Sequence, residues 1–114
     1  MTRQIFVNLP VADVARAQAF YLGLGFRLEP KFSNEAAACI VISDTIQVML
    51  LGRPFFQTFT QKPIGDAQAA TEVILCLSCD SRAEVDDLVA RALKGGGSAP
   101  NAPQDHGFMY GHGF

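Results

Sequence analysis

The chain has 114 residues, 49% hydrophobic and 18% charged, which suits one domain with its own core and is too apolar for a disordered chain. Nine basic against eleven acidic residues leave a net charge of −2, so no nucleic-acid partner is expected, since that footprint needs a basic stripe. The longest apolar runs fall far short of the ~20 residues of a membrane span. Three cysteines without an export signal point to a reducing, cytoplasmic setting.

Gln4-Ile5-Phe6-Val7-Asn8-Leu9 is a β-prone run that Pro10 is expected to close. Asp13 stands where an N-cap belongs. Val14, Ala17, Tyr21 and Leu24 follow at helical spacing, and Gly23 and Gly25 end the helix. Phe26 to Phe32 reads as a strand. Cys39 to Ser43 and Ile46 to Leu51 read as a hairpin around Ser43-Asp44-Thr45. The first segment, residues 1–52, is thus βαβββ.

Residues 53–70 form a linker in which Phe55, Phe56 and Phe59 sit at i, i+1 and i+4, the spacing of one or two helical turns with an aromatic face. Thr71 to Cys79, rich in Val, Ile and Leu, reads as a strand. Ser81-Arg82-Ala83-Glu84 is a capping box in which serine and glutamate satisfy each other's backbone amides. Val85, Leu88, Val89 and Ala92 mark an amphipathic helix that Gly95-Gly96-Gly97 stops. The order of strand, capped helix and glycine stop has now occurred twice, an internal structural repeat. Ser98 to Pro103 and Gly107 to Phe114 leave room for two further strands, so the second module, residues 71–114, is expected to lack its last one. An open sheet edge of that kind calls for a dimer that covers it or for a longer natural chain.

Cys76-Leu77-Ser78-Cys79 has C-x-x-C spacing, but strand positions three apart point to opposite faces, and both cysteines are expected in the core. The three glycines follow a helix, whereas a phosphate loop precedes one. No Gly-x-Ser-x-Gly nucleophile elbow occurs. In the tail, an extended chain puts His106, Phe108, Tyr110, His112 and Phe114 on one face. Tyr110 and His112 are then ~7 Å apart, able to line a pocket but too widely spaced to chelate a metal unaided. Asn8 and Glu72 interrupt apolar runs. A mid-strand amide must find partners or face a wet cavity, and Gln47 admits the same two readings.

Ile5-Phe6-Val7-Asn8-Leu9-Pro10-Val11-x-Asp13, followed by Phe20-Tyr21-x-x-Leu24-Gly25-Phe26, resembles the opening of the vicinal oxygen chelate superfamily, which contains glyoxalase I, bleomycin-resistance proteins and extradiol dioxygenases. Glu72-Val73-Ile74-Leu75-x-Leu77-Ser78-x-Asp80 and Asp105-His106-Gly107-Phe108-Met109-Tyr110-Gly111 resemble its second module. The resemblance implies an α+β glyoxalase-like fold of paired βαβββ modules that enclose a small-molecule cavity, in a homodimer.

The family's enzymes hold a divalent metal through His, Glu or Gln at four strand positions. By the flanking pattern these fall on Phe6, near Met49 or Leu50, on Ile74, and on a final strand after an Asp-x-Asp-Gly-His-x-Trp-Glu segment that this sequence does not contain. Apolar side chains at three of the positions donate no suitable lone pair. No metal ligands and no cofactor are therefore assigned. The resemblance favours metal-free binding of a small molecule between the modules, with Phe6, Asn8, Met49, Phe56, Phe59, Glu72, Ile74, Tyr110 and His112 as ligand-binding candidates. Phe55 and Phe108 would add aromatic walls. The alternative is a lyase or dioxygenase of the glyoxalase type using Ni, Zn, Mn or Fe, with Glu72 and His106 as catalytic candidates and His112 as a further donor.

Overall fold

Pro10 does not close the first strand. The computed structural model describes residues 2–114, and in it β1 runs over Ile5–Val11, through the proline. β1 lies at the edge of its sheet. Ile5 donates its N–H inward to the Thr45 carbonyl at 2.8 Å. At a period of two the nitrogen of Pro10 therefore faces outward, where a missing N–H leaves no ladder bond unmade.

The chain forms two compact units, Met1–Ile74 and Leu75–Phe114. In the first, α1 spans Val14–Gly23, capped by Asp13, whose side chain accepts from the Arg16 N–H at 3.0 Å. β2 is Arg27–Leu28, β3 Ala37–Val41 and β4 Ile46–Gly52. The sheet order is β1-β4-β3-β2, with β1 parallel to β4 and the other pairs antiparallel. This is the expected βαβββ module, with two corrections beyond Pro10, the first being that β3 lies two residues earlier than the expected Cys39 to Ser43. The strand expected over Phe26 to Phe32 stops at Leu28, and Pro30–Phe32 form a 3-10 turn. Pro30 has no N–H for a ladder. The Ser33 hydroxyl stands in, donating to the Glu29 carbonyl at 2.6 Å and accepting from the Cys39 N–H at 3.0 Å.

The core lies between the sheet and α1. Ala38, Ile40, Val48 and Leu50 are buried there, packed by Val7, Leu9 and Val11 of β1 and by Val14, Ala17 and Tyr21 of α1. Strand alternation sends the intervening residues to the face away from the helix. That face carries Phe6 and Asn8 of β1, Gln47 and Met49 of β4, Cys39 and Val41 of β3, and Arg27 of β2. After β4 the expected helical turns form as α2, Arg53–Phe56, and a 3-10 turn over Gln57–Phe59. Phe55 and Phe59 meet edge to face at 5.1 Å between ring centroids.

The C-terminal unit departs further from expectation. No strand forms over Thr71 to Cys79. A strand needs a partner ladder, and among the described residues the unit's only strands, β5 (Gln104–Asp105) and β6 (Tyr110–Gly111), pair with each other. Without that strand Cys76 is exposed and Cys79 half-buried, so neither is the core cysteine expected. α3 spans Arg82–Lys94. Its cap is the expected box shifted by one amide: the Glu84 N–H donates to Ser81 Oγ at 3.1 Å, while the Glu84 carboxylate takes the N–H of Asp80 at 2.9 Å. Gly96 adopts φ +100°, and the Gly97 N–H reaches back to the Ala92 carbonyl at 2.8 Å, a Schellman ending.

The tail is a tight hairpin and not one extended strand. Gly107 turns at φ +83°, and the His106 N–H donates to the Met109 carbonyl at 2.8 Å. The single face expected for His106, Phe108, Tyr110, His112 and Phe114 therefore does not form.

Candidate ligand site on the open sheet face

The register of the first sheet lines up one row across four strands: Phe6 on β1 faces Gln47 on β4, Gln47 faces Val41 on β3, and Val41 faces Arg27 on β2. All four lie on the face that α1 does not cover. The row floors a recess of about 260 Å³, completed by Gln4, Glu29, Phe32, Cys39, Ser43 and Asp44. Such a space falls just under the roughly 300–1,000 Å³ of drug-sized ligand sites.

Gln47 is the polar centre of this recess. It is the one buried polar residue among those described, 8% exposed. Its Nε2 donates to Gln4 Oε1 at 3.1 Å, and its own Oε1 is buried with no partner. Of the two readings the sequence left open for Gln47, partners or a cavity, its amide meets each in part: Nε2 has a partner, and Oε1 has none while the residue lines the recess. A carbonyl left in that state costs about 1–3 kcal/mol of unrecovered hydration. Around it, Phe6 and Phe32 are 44% and 57% exposed and supply aromatic walls. Cys39 is fully buried. Burial, and then the charge of Glu29, raise its thiol pKa, so it is a neutral wall and not a nucleophile.

Of the candidates read from the sequence, only Phe6 lines the recess. Asn8 and Met49 occupy the next row of the same face, Asn8 exposed and Met49 half-buried. Phe56 and Phe59 lie beyond β4, half-buried and exposed. Glu72 and Ile74 are exposed, and Glu72 folds against Gly65, where an added Cβ would stand 2.6 Å from its Oε1. His106, Tyr110 and His112 belong to the C-terminal unit. Tyr110 Oη donates to Asp86 Oδ1 at 2.6 Å, and the Arg82 guanidinium, ion-paired with Asp105, lies 4.8 Å from the centroid of the Tyr110 ring. The His106 ring lies 6.4 Å from that of Phe108. A second recess of about 240 Å³ opens beside this cluster, lined by Cys79, Arg82, Val85, Phe108, Met109 and Tyr110 among others.

Sequence reasoning missed Gln4, Arg27, Glu29 and Phe32. Arg27, and Val41 with it, join Gln47 only through the pairing of β4 with β3 and of β3 with β2, a register that alternation within one strand does not reveal. Glu29 and Phe32 enter through the 3-10 turn.

The residues present do not form the metal site that the resemblance locates. Phe6 and Ile74 offer no lone pair and Met49 only a soft thioether. Among the described residues no group of three or more His, Cys, Asp and Glu side chains converges to hold an ion. No helix among them is long and apolar enough to cross a membrane.

Residues 3–43 match the family model of the bleomycin resistance protein-like N-terminal region. Among solved structures, the chain is similar to a hypothetical protein from S. aureus, with 27% identity over 98% of this chain and 84% of that one and a TM-score of 0.80. It is also similar to a glyoxalase/bleomycin resistance protein/dioxygenase family enzyme from Burkholderia phytofirmans, at 17% identity, 96% and 86% coverage and a TM-score of 0.71. No curated protein matches.

Proposed function

We propose that this chain, whose fold and N-terminal module are those of the vicinal oxygen chelate superfamily, is a small-molecule binding protein that works without a resident metal. The ligand sits in the recess on the open sheet face of the N-terminal unit. The observation that carries this reading is the buried, unpartnered Oε1 of Gln47 in an aromatic-walled recess. A ligand donor there would pair an oxygen that no protein group reaches. Phe6, Phe32, Cys39 and Val41 give the recess its apolar walls, and Gln4, Arg27, Glu29, Ser43, Asp44 and Gln47 give it polar groups that can orient a ligand.

The experiment is a titration of the 15N-labelled chain with neutral bicyclic aromatic fragments, followed by NMR. Saturable shifts at the Gln47 side-chain amide and at the Phe6 and Val41 backbone amides are expected. Saturable shifts elsewhere only, or none at all, would overturn the assignment of this recess.

The same proposal includes a cytoplasmic homodimer. Three free thiols support a reducing compartment. The dimer is supported by the apolar run around Val73, Ile74, Leu75 and Leu77, which is 43–80% exposed and carries no ladder. Light scattering that gives the mass of a single chain would remove the dimer.

A further inference from the structure

The Gln47 amide has a donor that is used and an acceptor that is not. Its Nε2 is engaged by Gln4 Oε1, a partner 43 positions away on an exposed side chain. Its Oε1 is enclosed and unpaired. Gln4 lines the recess and holds Nε2, so a ligand that engages the whole amide from the recess competes with Gln4. A ligand that takes its place must then supply two things side by side: a donor for Oε1 and an acceptor for Nε2. Planar ligands with adjacent donor and acceptor atoms pair with a glutamine amide through two hydrogen bonds, the geometry by which glutamine reads an adenine edge.

The flanking groups narrow the ligand further. Phe6 and Phe32 favour a flat aromatic body. Arg27 stands against Glu29 and Asp44 at the recess, one cation to two carboxylates, which disfavours an anionic ligand. The volume admits one or two fused rings.

Resting on the reading that this recess is the ligand site, we infer that it takes a flat, neutral heterocycle with a lactam-type edge, N–H beside C=O. This edge pairs with the Gln47 carboxamide after displacing Gln4. Gln47 is then the specificity-determining residue, and Gln4 is a gate.

The test compares two probes of one shape, 2-quinolinone and coumarin. Both keep the ring carbonyl, and coumarin replaces the N–H by an oxygen. With the full chain, NMR titration is expected to give 2-quinolinone at least ten-fold tighter binding, because coumarin sets a ring oxygen against the buried Oε1. Gln47→Met should reduce that preference to within two-fold. Gln4→Ala, at an exposed position, should keep the preference and tighten 2-quinolinone several-fold. Equal binding of the two probes by the unaltered chain would overturn the lactam edge and leave the recess as a ligand site. Weaker binding of 2-quinolinone by Gln4→Ala would overturn the displacement step. Failure of both probes to bind the folded chain would remove the inference and the reading beneath it.

Discussion

Tyr110 Oη donates to Asp86 Oδ1 at 2.6 Å across 24 residues of chain, tying the β5–β6 hairpin to the exposed side of α3. The tie is reinforced on each flank. Arg82, one turn earlier on α3, lies 4.8 Å from the centroid of the Tyr110 ring and pairs with Asp105 on β5. Asp105 also accepts from the Gly107 N–H at 2.9 Å, so a single carboxylate holds both the turn and the docking contact. A hairpin of two residues per strand is not stable by itself, and these polar contacts are what keep it on the helix.

Tyr110→Phe should therefore loosen the hairpin while α3 stays folded. The checking measurement is amide hydrogen exchange. The His106 N–H, bonded to Met109, should lose protection in Tyr110→Phe, while the amides of Val89 and Ala92 in the buried part of α3 keep theirs. Equal loss at both places would mean that the helix and hairpin open as one unit.

The same cluster sets a pH window. The Gly107 N–H, and then Arg82, lower the pKa of Asp105. The free chain therefore takes up a proton at a pH where the docked hairpin does not, and docking weakens as pH falls from the ordinary carboxylate range through the depressed folded value. Tyr110 behaves oppositely. Its bond to Asp86 raises the phenol pKa, so its contribution is complete below the ordinary tyrosine range and is lost as pH rises through the raised value. Protection of the His106 amide should be greatest between these limits and fall at both ends. A profile flat into acid would rule out Asp105 as the holding group.

Local signals in the sequence were read accurately where a short stretch of chain decides the outcome. Asp13 caps α1, Ser81 caps α3, and Gly96 and Gly97 close α3, because each depends on one side chain or one φ angle within a few residues. Thr71 to Cys79 failed for the converse reason. Its Val, Ile and Leu content satisfies a strand's propensity, but a strand exists only with a partner, and pairing is not local information. The site divides the same way. Phe6 was recognisable from its place in β1, and Gln47 stood out as polar in an apolar run. Their alignment with Val41 and Arg27 depended on a parallel pairing of β1 with β4 that joins residues some forty positions apart.

Thiol labelling should rank the three cysteines by their surroundings. Cys76 is exposed and should react first with a disulfide reagent at neutral pH. Cys79 is half-buried, and burial followed by the charge of Glu84 raises its pKa, so it should react more slowly. Cys39, fully buried in β3, should react only on unfolding. Rapid labelling of all three would show that the sheet opens on the timescale of the reaction.

Metal retention addresses the site's chemistry. After incubation with Ni, Zn, Mn or Fe(II) and desalting, elemental analysis should find well under one ion per chain, since Phe6, Met49 and Ile74 stand at the positions that the family resemblance assigns to metal ligands. About one ion held per chain would require a donor set built elsewhere. Glu72→Gln and His106→Gln, measured separately, would then show which unit supplies a donor.

Stability should separate Gln47 from its apolar neighbour Leu50. Leu50 is 1% exposed in the core beneath the sheet, and Leu50→Ala should cost about 2–5 kcal/mol through lost burial and the cavity left behind. Gln47→Met keeps the length of the side chain and removes a buried oxygen that has no partner. The hydrogen bond it forfeits goes to Gln4, which is exposed and finds water instead. Replacing an unsatisfied polar group by an apolar one of similar shape is neutral or favourable. Urea unfolding of Gln47→Met should therefore give a midpoint equal to or above that of the unaltered chain, even as the variant loses its preference for an N–H-bearing ligand. A loss of stability comparable to that of Leu50→Ala would mean that Gln47 serves the fold and not a ligand.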